Sequence, residues 1–506
     1  MKDKRIFMLY PKFPPNKTGI LVSLLRRANL LAWGGFKVVL MTVEHDLRTR
    51  KYFEDIYEAG LLTNRENIEF INLFSYYQLK NEDNSCPLQQ KSDEIYVSDR
   101  IGNKIFKDDK NKINRYEVFK KGLLTHINFF DEGKIRHRTR YDDYGRLCSC
   151  QNLSNDLVVD EDFYDIYNRI VLKIDYFYPK EKRKIKRIHL FDNNGMVERT
   201  FKNIQELFEY TIHRYLCCDL NTLYYFFIDK AIFFVDFLLK NTKKNYALIG
   251  TIHAAHYLDH RDINSKPNRN YDHYFNNLDK LSALIILTDK QKRDIESRYG
   301  THKCFKTIPH TLDKAPQISQ SLNDPFHFVS LARYDRVKRL DLLIEIFSDV
   351  VAEFPLAKLD LYGYGLEKNN LEQMIEAYNM QDNIFLKPYV ANVNELLQTS
   401  SMLLLTSQSE SFCLVVMEAL ANGCPVISFD INYGPSEMII DKQNGFLIVE
   451  GNKQGYSQQI IEYLKNQDEL YAMRSRALEL SVNMSPAVIL GKWRKLFDDI
   501  EQELTV

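Results

Sequence analysis

The densest concentration of groups able to handle a charged, hydroxyl-rich ligand lies between residues 330 and 440. Arg333 and Lys338 follow the apolar run 326–331 and precede a helical pattern that starts near Arg339. Two cations at a strand-to-helix turn can converge on one anion, and the helix N-terminus adds its own positive end. A diphosphate suits that place. Further along, Glu410, Ser411, Phe412, Cys413 and Leu414 lead into a second helical pattern, which carries Glu418. A carboxylate can accept two hydrogen bonds, which matches the vicinal hydroxyls of a sugar or a ribose. The amides of Phe412, Cys413 and Leu414 stand at the helix start, free to donate to sugar or phosphate oxygens. Gly363 and Gly365 follow another apolar run, and glycines let a ligand approach the backbone closely. Taken singly, each group also has a plainer reading: solvated cations, an ordinary turn, an acid at a helix N-terminus, an ion-pair partner.

Such groups need a scaffold that sets loop ends side by side. Strand patterns at 326–331, 358–362, 384–387, 402–405 and 425–429 alternate with helical ones at 339–354, 367–378 and 412–421. βα units of this length predict a parallel, doubly wound sheet, which binds ligands beyond the carboxyl ends of its strands. The first half opens the same way, with an apolar run at 6–10, a turn-rich loop containing Gly19, a helical pattern at 20–33 and a strand at 37–41. Strands at 247–253 and 281–287, and a helix at 288–298, resume that texture. Between them, residues 80–205 alternate aromatic and β-branched residues with hairpin signals at 131–133, 142–145 and 192–195, which predicts an antiparallel β insertion. The segment 311–324, with Pro316, reads as a hinge between domains. An amphipathic segment at 486–504 places Leu490, Trp493, Leu496 and Phe497 on one face. The domain plan is therefore 1–79 and 206–312 for a first Rossmann-like domain, 80–205 for the insertion and 313–485 for a second Rossmann-like domain. A closing helix at 486–506 is expected to pack back on the first domain.

Composition narrows the function classes. At 506 residues the chain is too long for one core. Lys+Arg and Asp+Glu balance at 68 each, which argues against a protein built to grip nucleic acid. The apolar run at 6–10 is too short for a signal-peptide core. Residues 222–239 are broken by Asp229, Lys230 and Asp236, so no membrane span is expected there and any membrane contact is peripheral. The 8 cysteines show no paired Cys-x-x-Cys spacing, which suggests neither a zinc site nor a disulfide framework and fits a reducing cytoplasm.

As a set, Arg333 and Lys338, Glu410 and Glu418, and the Gly434-Pro-Ser-Glu437 segment resemble the GT-B family of retaining glycosyltransferases (glycosyltransferase group 1). Within it the β insertion and the Asn432-Tyr-Gly-Pro-Ser-Glu-Met-Ile439 phrase resemble a bacterial branch that includes the wall-teichoic-acid α-glycosyltransferases, and the 11–27 segment looks closest to the poly(glycerol-phosphate) α-glucosyltransferases. The resemblance covers nearly all of residues 325–450. It implies a GT-B fold, with two Rossmann-like domains facing a cleft and the β insertion in the first, and a UDP-sugar donor without metal or other cofactor. Glu418 would hold the ribose hydroxyls and Glu410 the donor sugar, while Arg333 and Lys338 neutralise the departing diphosphate. Gly363, Gly365, Ser411, Phe412, Cys413 and Leu414 would line the donor pocket. Gly19 stands where the family has a Gly-Gly pair, and His253 resembles a histidine near the reacting sugar, with His256 a competing candidate. The donor sugar is glucose or N-acetylglucosamine. The acceptor is a polymeric cell-wall or surface-protein hydroxyl, teichoic acid first and a serine-rich protein second; a low-ranked alternative makes the chain itself a non-catalytic, glycosyltransferase-like binding subunit. Six cations among the eight residues 180–187 would attract a phosphate polymer, or else solvate an edge strand. The β insertion is expected to mediate homo-oligomerisation.

Overall fold

The computed structural model describes residues 3–14, 18–79, 96–99, 101–241, 243–259, 262–313, 324–390 and 392–505. The expected hinge at 311–324, with Pro316, lies largely outside them, as does the stretch 80–95 at the expected start of the insertion. Parallel strands build two sheets, and antiparallel strands a third. In the seven-stranded sheet, Leu223–Ile228, Lys4–Tyr10, Lys37–Thr42 and Ile68–Asn72 are neighbours in that order. Tyr246–Thr251, Ala283–Ile286 and Phe305–Thr307 form a second parallel run. The six-stranded sheet has the order Ile384–Lys387, Lys358–Tyr362, His327–Leu331, Met402–Leu405, Val426–Phe429, Gly445–Ile448. These sheets and the antiparallel insertion are the GT-B plan the sequence implies.

The chain divides into two compact units: Met1–Asn16, Phe36–Tyr225 and Phe233–Tyr246 in one, Lys17–Gly35, Phe226–Ile232 and Ala247–Val506 in the other. Within the second, the six-stranded sheet is covered on both faces. Met402 and Leu404 pack into one apolar cluster with Phe328, Leu343, Phe347 and Ile427, and Leu403 and Leu405 into another with Val329, Val416, Met417 and Val426. Side chains of a strand alternate between faces, so a continuous apolar run marks a strand buried on both. Helix Pro486–Thr505 belongs to the same unit and sets Trp493 against Phe227 at 5.3 Å between ring centroids.

The insertion is a ten-stranded meander in sequence order from Val97–Ser98 to Val197–Phe201. Five of its turns share one construction, with Asp99, Asp108, Asp142, Asp165 or Asp192 as the first residue. Each Asp Oδ1 accepts the N–H groups two and four residues later, at 2.8–3.0 Å. The fourth residue of each turn has positive φ and is Gly or Asn, the types that tolerate it. The cationic run 180–187 enters strand Lys184–Phe191, which pairs on one side with Ile170–Phe177 and on the other with Val197–Phe201. Ile188–Phe191 are paired on both sides, whereas the cationic residues Lys184–Arg187 pair only with Ile170–Phe177, so an open side remains along the cationic half of the strand.

Candidate active site

Strand order in the six-stranded sheet reverses between His327–Leu331 and Met402–Leu405, and the loops leaving these two strands carry Lys338 and Glu410. A switch point of this kind leaves a crevice outside the strand ends. The first loop tightens into a 3₁₀ turn at Arg336–Lys338, and Arg339 takes a left-handed conformation before helix Leu340–Glu353. The second loop is tied to it: Thr406 Oγ1 donates to the carbonyls of Lys338 and Arg339 at 3.2 and 2.9 Å, and the Gln408 amide donates to Val337 O at 2.8 Å. On its other side the Glu410 amide donates to Asn432 O and the Tyr433 amide to Glu410 O, at 3.1 and 2.8 Å. Gly434 lies so close that a Cβ there would meet Phe412 O at 2.1 Å.

That bracing delivers Lys338 Nζ to 2.5 Å from Glu410 Oε1, with both side chains largely buried. Burial works against the Lys338 ammonium, but the Glu410 carboxylate outweighs it and holds the amine above its ordinary pKa. Arg333 is not brought to this pair. Its guanidinium is 66% exposed and lies 2.9 Å from Asp335, so the two cations do not converge in this structure. Ser411 is half-buried, Phe412 and Cys413 are buried, and Cys413 adopts a left-handed conformation that makes it the N-cap. Helix Leu414–Ala421 therefore starts two residues later than the pattern predicts. Burial, then the charge of Glu410, pushes the Cys413 thiol well up, so it stays protonated.

Gly363 and Gly365 serve the protein's own packing. A Cβ at Gly363 would meet Ala332 O at 1.9 Å and one at Gly365 would meet Tyr334 O at 2.2 Å. The two glycines let strand-end loops lie backbone against backbone, joined by Ala332 N–H to Tyr362 O and Tyr334 N–H to Tyr364 O. Gly19 differs, since nothing lies within 4 Å of where its Cβ would be. It opens helix Gly19–Trp33, where Thr18 caps the Leu21 amide and the first turn holds no acid.

That helix also supplies two residues that sequence reasoning missed. Arg26 Nη2 lies 2.6 Å from Glu418 Oε1 and 3.0 Å from Asp313 Oδ2. Arg27 pairs at 2.5 Å with Asp229, the residue that follows strand Leu223–Ile228. Asp229 is fully buried, and its other oxygen lies 3.1 Å from His253 Nε2. Burial alone raises a carboxyl pKa, but Arg27 and then His253 outweigh it and hold Asp229 below the usual carboxylate range. The His253 amide donates to the Tyr271 hydroxyl at 3.0 Å, and His310 stacks on the His253 ring. His256 is different. Its ring is completely buried, neither nitrogen has a partner among the described residues, and burial lowers its pKa to about 4. In the sequence Asp229 stands out only as a charge that breaks an apolar run; its place at a strand end is the signal that could have found it.

Two Rossmann-like sheets, each with loops carrying charge at its strand ends, and an antiparallel insertion give the chain a GT-B architecture. Residues 313–479 match the family described as glycosyl transferases group 1, so the chain is a glycosyltransferase carrying a domain of that family. It is 24% identical over 511 residues to the poly(glycerol-phosphate) alpha-glucosyltransferase of Bacillus subtilis strain 168, covering 97% of this chain and 74% of that one. To the poly(ribitol-phosphate) alpha-N-acetylglucosaminyltransferase of Staphylococcus aureus strain COL it is 26% identical over 527 residues, covering 98% and 100%. Among solved structures, a mutant S. aureus TarM in complex with fondaparinux, alpha-GlcNAc-glycerol and UDP superposes with a TM-score of 0.84 at 23% identity, covering 98% and 100%.

Proposed function

We propose that this glycosyltransferase moves glucose or N-acetylglucosamine from a UDP-sugar to a hydroxyl of a poly(glycerol-phosphate)-type teichoic acid, with retention and without a metal ion. The observation that carries the reading is the Lys338–Glu410 pair, seated at the switch point of a chain related over nearly its whole length to two polyol-phosphate glycosyltransferases. Glu418 takes the ribose, Glu410 the donor sugar, and Lys338 the diphosphate. Arg333, whose exposed guanidinium pairs with Asp335 in this structure, exchanges that carboxylate for the diphosphate and joins Lys338 when the donor is present. A fixed cation aimed at a leaving group supplies what a metal supplies elsewhere. The acceptor oxygen forms its bond to the anomeric carbon on the face from which the phosphate departs. The phosphate oxygen takes the acceptor proton, and the configuration is retained. His253, held by Asp229, orients the sugar from the opposite side.

The run 180–187 presents Lys180, Lys182, Arg183, Lys184, Lys186 and Arg187 to solvent, which suits a repeating phosphate polymer. The insertion is also where we place association between copies, and the cytoplasm is where we place the activity. The testing experiment is UDP release by the purified chain in chelator, crossing UDP-glucose and UDP-N-acetylglucosamine with poly(glycerol-phosphate) and a serine-rich polypeptide. Release stimulated by the polymer is expected. Silence in every combination, or stimulation by the polypeptide alone, overturns the reading.

A further inference from the structure

Arg26 is held in an unusual way on helix Gly19–Trp33, most of whose side chains are buried. Its side chain is 13% exposed, Nε and Nη2 reach Asp313, Nη2 also reaches Glu418, and Nη1 is buried with no hydrogen-bond partner among the described residues. A buried guanidinium N–H left unmade is costly, so a site that keeps one has an acceptor to receive. Two carboxylates flank the one guanidinium, which makes the immediate surroundings net negative and unsuited to a phosphate. A neutral hydroxyl oxygen is the acceptor that fits. Glu418 has one oxygen engaged by Arg26, which leaves Oε2 to accept from the same hydroxyl group.

The geometry points to Arg26 as the second half of the nucleotide's ribose site, with Nη2 fixing Glu418 while Nη1 donates to a ribose hydroxyl whose proton Glu418 accepts. This rests on the reading of a UDP-sugar donor with Glu418 at its ribose. Arg26 makes the pocket selective for a nucleotide that keeps its ribose diol, and Asp313 holds the guanidinium in plane while the pocket is empty.

Titration calorimetry on the full chain, with UDP and with 2′,3′-dideoxy-UDP, separates the possibilities. Arg26→Gln is expected to weaken UDP binding about tenfold, the size of one hydrogen bond to a charged group. The same change is expected to leave dideoxy-UDP binding within about twofold of wild type, since the contact it removes is already absent. Should the glutamine variant not fold, Arg26→Lys, which keeps the charge and loses the planar fork, is expected to give the same split. Equal losses for both nucleotides mean that Arg26 only packs, and no loss for either means that it is idle; both overturn the inference and leave the donor reading standing. Failure of the wild-type chain to bind UDP overturns both.

Discussion

Lys338 and Glu410 face each other as a charge pair, and with the proposed leaving diphosphate beside Lys338 the cost of losing the cation follows. Removing one preorganised donor from a site that stabilises developing negative charge costs about 10²–10³ in rate. Lys338→Ala and Arg333→Ala are each expected to lower kcat by that factor while far-UV circular dichroism stays unchanged. Near-wild-type turnover in both would remove the assigned roles. Lys338, Glu410 and Glu418 are legible in the sequence because each stands within a few residues of a strand or helix boundary. Arg26, Arg27 and Asp229 are not. Arg26 meets Glu418 across 392 positions and Arg27 meets Asp229 across 202, and no local pattern encodes a partner at that separation.

At the scale of elements, apolar periodicity locates five of the six strands of the six-stranded sheet closely, because strands buried on both faces leave apolar runs, and the half-buried Gly445–Ile448 escapes it. The hairpins at 131–133, 142–145 and 192–195 are readable from their Gly-containing turns. The turns at Asp99, Asp108 and Asp165 escape, the last two because Asn111 and Asn168 stand in the positive-φ position where Gly is the stronger signal. Residues 222–239 show in the sequence only as an apolar run too broken to span a membrane. They divide into strand Leu223–Ile228 and a helix beginning at Ala231, and no helix among the described residues is long and apolar enough to cross a membrane. The cationic strand carries its own prediction. If it draws in a phosphate polymer, Lys184→Glu with Lys186→Glu raises KM for poly(glycerol-phosphate) about fivefold at low salt, and raising the salt erases the difference because exposed charges are screened. The kcat for a single glycerol-phosphate unit should not change. Equal KM values for variant and wild type at low salt would assign the strand to solvation alone.

For the whole molecule, buried histidines contribute to the response to acid, His310 well below its ordinary value among them. Burial lowers the pKa of His45, His126 and His256 to about 4 in each case. In the unfolded chain an imidazole titrates near ~6.5, so below that pH the unfolded state binds protons that the folded state refuses. Stability is full above that value and is lost as pH falls toward 4. The slope reaches about 1.4 kcal/mol per pH unit for a fully buried ring such as His256, and is smaller for the part-exposed His126. Melting temperature is expected to drop between pH 6.5 and 4.5, and His256→Phe to flatten that drop by removing one proton from the balance. An unchanged slope in the variant would show that His256 takes no part.

The Asp-anchored turns of the meander bear on how such a molecule can change over time. Each turn is closed by its own Asp and the amides two and four residues on, although the Asp99 turn also takes a hydrogen bond from Tyr116, on a strand it does not join. A pair of strands can therefore be duplicated or dropped as one link, and the links that remain keep their pairing and their facing sides. The length of the insertion can be tuned by copy number, independently of the loops that carry Lys338 and Glu410.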